Sequence, residues 1–432
     1  MMAASDAVRT DIRERAGRLE AAADLHPLVE RARSRRFIAI GEASHGTHEF
    51  YSWRAELTRQ LIVAGRCTWI GVEGDWPDCW RIDRWVRGFE SAELDARAVL
   101  ASFQRWPTWM WANAEVADFL DWLHDHNRRV PAEHRVGFYG LDIYSLWDSL
   151  ARTIGWLAER APEDVPAALR AWRCFEPFGG DPEQYAWSTR LVPETCEAEV
   201  VELLARVRRR AASDGDDAFD ALQNAIVAAG AEEYYRAMVR ADRLSWNLRD
   251  QHMADTVGRL AGHLGRDSVG VLWEHNTHVG DARGTSMSDA GMLNVGQLLR
   301  ERHGSAQVLL IGFASHRGSV IAAQGWGRSE LRMPVPTARA GSHEDILHQT
   351  LGCDAVIDFG PDRGSPWLSM TAGHRAIGVV YDPEREAGNY VPTRMGDRYD
   401  ALIWIEHSEA LVPLRGEPQP QEPERETAPT GM

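Results

Sequence analysis

Eight short apolar runs, separated by longer stretches of helical periodicity, constrain this chain more than any other feature of its sequence. They occupy residues 37–41, 69–73, 136–141, 269–273, 308–312, 355–359, 376–381 and 401–405. Most are apolar at consecutive positions and rich in β-branched residues, as in Phe37-Ile38-Ala39-Ile40. A strand without a polar face has to be covered on both sides, the condition of a strand held between two helical layers. The pattern predicts an α/β fold with a mainly parallel central sheet flanked by helices.

Between the third and fourth runs lie about 120 residues of helical pattern, too long for an ordinary crossover connection. Stretches such as Glu197-Ala198-Glu199-Val200-Val201-Glu202-Leu203-Leu204 place apolar residues at helical spacing with charges between them. We therefore expect a helical-bundle subdomain at 146–265 inserted into a core made of 1–145 and 266–415. The segment 416–432 is rich in Pro and Glu and is expected to be disordered.

Charge narrows the function classes. Lys and Arg total 48 against 64 Asp and Glu, a net charge of -16 with no basic stripe, so nucleic acid is not an expected partner. The start, Met1-Met2-Ala3-Ala4-Ser5-Asp6, has no apolar signal region, and no run approaches the roughly 20 apolar residues of a membrane span. Cys67, Cys79, Cys174, Cys196 and Cys353 are odd in number and widely spaced, which argues against a disulfide framework or a thiolate zinc site. The expected location is the cytoplasm. The oligomeric state is not set by the sequence.

Polar residues gather where strands stop. Gly41-Glu42-Ala43-Ser44-His45-Gly46-Thr47-His48 follows the first run, and Glu274-His275-Asn276-Thr277-His278 follows the fourth, each with histidines at i, i+3. Glu73 ends the second run, and Asp142 follows the third as either a helix cap or part of a site. In open α/β sheets ligands bind beyond the carboxyl ends of strands, so these positions are better functional candidates than the same residues elsewhere. Arg54, nine residues past His45 on the following helix, can reach back over a pocket or pair with a surface acid. The set supplies a neutral base, carboxylates to orient it and cations or imidazoles to stabilise an oxyanion, which is equipment for water attack on an ester or amide carbonyl. Trp106, Trp109 and Trp111 crowd one segment; taken alone they favour core packing, and beside a cleft they would wall it.

Other hydrolytic and nucleotide-binding signatures are missing. There is no G-x-S-x-G elbow, no H-E-x-x-H helix and no G-x-x-x-x-G-K-[ST] loop. The remaining motifs, from Gly41-Glu42-Ala43-Ser44-His45 with Arg54, through Glu73 and Gly140-Leu141-Asp142-Ile143-Tyr144, to His275-Asn276-Thr277-His278-Val279-Gly280-Asp281, resemble the erythromycin esterase family. Asn294-Val295-Gly296-Gln297-Leu298 and Arg375-Ala376-Ile377-Gly378-Val379 extend the resemblance, which runs in order over about 36–414. It implies an α/β core with a helical bundle, and hydrolysis of a macrolide lactone by a water that the first-motif histidine activates. Carried onto this sequence, His45 is the general base, and Glu42 and Glu73 orient it or the water. Arg54, His275 and His278 become pocket residues for substrate or oxyanion, and the three tryptophans a candidate cleft wall.

Gly46-Thr47-His48 is the form of the broader family rather than of dedicated resistance enzymes. The expected substrate is therefore a small-molecule carboxylic ester, with a macrolide lactone as one candidate. No cofactor is expected. Two alternatives stay open at this point: a divalent metal held by His45, His48, His275 and His278 with neighbouring carboxylates, and a ligand-binding homologue without turnover.

Overall fold

The computed structural model describes residues 5–89, 94–178, 182–191, 195–211, 215–240 and 242–414. The tail expected to be disordered, 416–432, lies outside them. The strands, in chain order, are β1 (Ala16–Arg18), β2 (Phe37–Ile40), β3 (Trp69–Val72), β4 (Gly137–Gly140), β5 (Gly270–Trp273), β6 (Val308–Ala323), β7 (Glu330–Val335), β8 (Ala355–Asp358), β9 (Thr371–Arg375), β10 (Tyr390–Arg394) and β11 (Ala401–Ser408).

Strand alternation builds the layers. Ile38 and Ile40 of β2 join one hydrophobic core while Phe37 and Ala39 join a second, and β5 divides likewise, Val271 and Trp273 against Leu272. Successive side chains of a strand point to opposite faces, so doubly apolar sequence makes a sheet with a core on each side. Helices His48–Val63 and Ala114–Arg128 cover the first core through Phe50, Leu57, Phe119 and Leu123. Helices Asp242–His263 and Val295–His303 cover the second through Met253, Val257, Val295 and Leu298. Helices between β4 and residue 240 bury Leu150, Phe175, Leu203 and Tyr234 in a third core of their own.

The sheet has nine strands in the order β1-β8-β11-β6-β2-β5-β3-β4, with β7 on β6. From β11 through β4 neighbours run parallel, while β1, β7 and β8 pair antiparallel. The chain leaves β2 for β3 on one side and later leaves β5 for β6 on the other. Crossovers diverge at the β2–β5 pair, the topological switch point at which α/β sheets place ligands. No helix among the described residues is long and apolar enough to cross a membrane.

Three sequence expectations need correction. Residues 376–381 form no strand: Ile377 N–H donates to Ala43 O, and Val379 O accepts from Ala323, so a buried apolar segment splits its backbone bonds between two other segments. The run at 308–312 is only the start of the 16-residue β6, which continues past the sheet core to pair with β7. Cys174 and Cys196 are disulfide-bonded. Their spacing of 22 residues carries no pairing signal; it is the packing of helix Val165–Phe175 against helix Glu197–Arg210 that brings the two together.

Candidate active site

Strand order sets the order of the polar row. Because β5 lies between β2 and β3, His275 and His278 are inserted between His45 after β2 and Glu73 after β3, with Asp142 beyond on β4. All five are buried.

The turn after β2 is shaped by close approach. A Cβ at Gly41 would lie 2.1 Å from Asn276 Oδ1, and one at Gly46 would lie 1.8 Å from Ile321 O. Only glycine allows the turn to sit this tightly between β5 and β6. Within it, His45 Nδ1 lies 2.7 Å from Glu42 Oε1. The other Glu42 oxygen is 2.9 Å from Arg54 Nη1. Paired with that guanidinium, the carboxylate accepts a hydrogen bond from the His45 Nδ1–H.

Arg54 is completely buried and lies over the Tyr51 and Trp273 rings at 4.5 and 4.9 Å. These aromatic faces hold the guanidinium, fully buried, against the Glu42 carboxylate. His275 lies beside His45, the two ring centroids 4.8 Å apart. Its Nδ1 accepts from Thr277 N–H at 3.3 Å and lies 2.8 Å from Thr277 Oγ1, and its buried Nε2 meets no hydrogen-bond partner among the described residues. Burial, reinforced by nearby His45, holds His275 well below the usual histidine range. It is a neutral ring beside His45.

Glu73 holds the row together. Its Oε2 accepts from His275 N–H at 2.7 Å and its Oε1 from Arg249 Nη2 at 2.8 Å. Burial opposes the charge, yet His278 and Arg249 outweigh it and hold the carboxyl far below the usual range. His278 Nδ1 is 3.0 Å from both oxygens of Asp250, and its ring stacks on Trp246 at 4.5 Å. Burial again opposes charge, but Asp250 and then Glu73 raise the His278 pKa.

Asp142 is neither a cap alone nor a surface acid: Arg249 grips it at 3.0 and 2.7 Å. Arg249 and Asp250 were not singled out from sequence. The available signal was the stripe Trp246, Asp250, Met253, Val257 and Leu260, in which a charge occupies a position helical spacing assigns to the core. His48 leaves the group; half-exposed, it meets Glu115 Oε1 at 2.7 Å, so the four histidines of the metal alternative do not gather at one point. Trp111 donates to Glu73 O at 2.9 Å, Trp109 is core, and Trp106 packs on Trp326 at 5.2 Å.

The fold matches solved structures. One is a succinoglycan biosynthesis protein at TM-score 0.77 and 17% identity, covering 94% of this chain and 97% of that one. A protein from Bacillus cereus matches at 0.78 and 19%, covering 94% and 98%. A histidine-to-asparagine mutant of the erythromycin esterase EreC, in its open conformation, matches at 0.69 and 17%, covering 91% and 97%. At these identities the likeness is one of fold. A sequence model described as erythromycin esterase matches residues 63–408, within which Glu73, Asp142, Arg249, His275 and His278 fall, while Glu42, His45 and Arg54 precede it. With most of its length matched, the chain belongs to the erythromycin esterase family.

Proposed function

We propose that the protein hydrolyses a small-molecule carboxylic ester, with a macrolide lactone as the first candidate, by water that His45 activates without a metal. The observation that carries this reading is the Glu42–His45 contact at 2.7 Å beside the neutral His275 ring. His45 Nε2 takes a proton from water as the oxygen attacks the carbonyl carbon. Glu42 stabilises the imidazolium that forms. The carbonyl oxygen becomes an oxyanion, and His275 Nε2–H donates to it. On collapse the ester C–O bond breaks, and His45 returns its proton to the leaving alkoxide, giving an acid and an alcohol.

Mass spectrometry of purified wild type, His45→Ala and His45→Gln with a panel of macrolides and simple esters tests this. The expected result is gain of one water by an ester with wild type, insensitive to chelator, and a loss of about 10²–10⁴-fold in turnover for both variants. Near wild-type turnover in either variant would overturn the base assignment.

A further inference from the structure

Away from this site, β6, β11 and the helix His343–Leu351 bring together three side chains that ester hydrolysis does not use. β6 and β11 run parallel with Ile405 opposite Ser315 and His407 opposite Arg317. His316 and Glu406 therefore stand side by side on adjacent strands and on one face. The helix packs on β6 and delivers His348 to that face. Its ring lies parallel to that of His316, centroids 3.8 Å apart and planes 4° apart, and its Nδ1 contacts the Glu406 carboxylate. Nitrogen and oxygen atoms of the three residues lie within 4.8 Å of one another. His316 is buried and its Nδ1 meets no hydrogen-bond partner among the described residues, a costly state for a ring nitrogen that only packs. His348 and Glu406 keep 42% and 22% of their side chains exposed, which leaves a path from solvent.

We propose that His316, His348 and Glu406 form a binding site for a divalent transition-metal ion of the zinc type, separate from the His45 site. Two imidazole nitrogens and one carboxylate oxygen are a ligand set that zinc accepts, with a fourth position for water. On binding, Glu406 exchanges its contact with His348 for the ion. The bound ion ties the helix to two adjacent strands.

Isothermal titration of zinc chloride into the chelator-stripped full chain tests the site, with circular dichroism confirming the fold of each variant. Wild type is expected to bind one zinc per chain. His348→Ala and Glu406→Gln, both partly exposed positions, are expected to weaken that binding by about tenfold or more. The double variant His45→Ala/His275→Ala is expected to bind as wild type does. Absence of saturable binding by wild type overturns the proposal, as does binding that survives His348→Ala and Glu406→Gln but disappears in the double variant.

Discussion

His45 takes its direction from a carboxylate that is itself held in place. Glu42 stands between the His45 ring and the buried Arg54 guanidinium. Replacing Glu42 by Gln keeps the shape and removes the charge. It should lower turnover by about 10²–10⁴-fold, because the imidazolium loses its counter-charge. It should also lower stability by about 3–5 kcal/mol, because Arg54 stays buried without one. Steady-state kinetics and urea unfolding measure the two effects; an unchanged rate would remove Glu42 as the orienting group. The pairing of Glu42 with His45 was legible in sequence because both lie in one turn. The Arg54–Glu42 contact was not, since an offset of twelve residues fixes direction only after Tyr51 and Trp273 have packed.

At the scale of elements, the helix Asp242–His263 does two jobs with one face. Met253 and Val257 seal the second core, while Arg249 and Asp250 reach the strand ends. Arg249 is the counter-charge for both Glu73 and Asp142. Arg249→Met should therefore destabilise the protein by about 3–5 kcal/mol, since two buried carboxylates lose their partner. Arg249→Lys should fall between, because an ammonium keeps the charge but not the planar fork that grips Asp142 through two nitrogens. Denaturant midpoints decide the matter: equal stability of Arg249→Met and wild type would mean that the cluster is not held by this charge. The stripe that placed Asp250 among apolar positions was readable from helical spacing. The partners were not, because Glu73 and Asp142 lie more than a hundred residues upstream.

For the whole molecule, acid should act through buried histidines. Burial, aided by Arg259, pulls His252 down to about 3, and burial pulls His343 to about 4 while its Nε2–H donates to Thr393 O. Both have the ordinary value of 6.5 when unfolded, so between there and about 4 the unfolded chain binds more protons and stability falls as pH falls. Each group accounts for on the order of 3 kcal/mol of that loss by about pH 4. His343→Gln keeps the donor to Thr393 and should flatten the dependence between pH 7 and 5; an identical slope in wild type and variant would show that His343 does not carry it. The sequence by itself determined the short doubly apolar strands, the glycine-lined turn with Glu42 and His45, and the second histidine pair, because these rest on period-2 alternation and contacts within a few residues. Tertiary structure alone decided that β5 enters between β2 and β3, that Arg249 joins Glu73 to Asp142, that His48 turns away to Glu115, and that Cys174 meets Cys196. Strand neighbours and buried charge partners depend on which crossovers pack together, and that is a property of the assembled layers rather than of any local stretch.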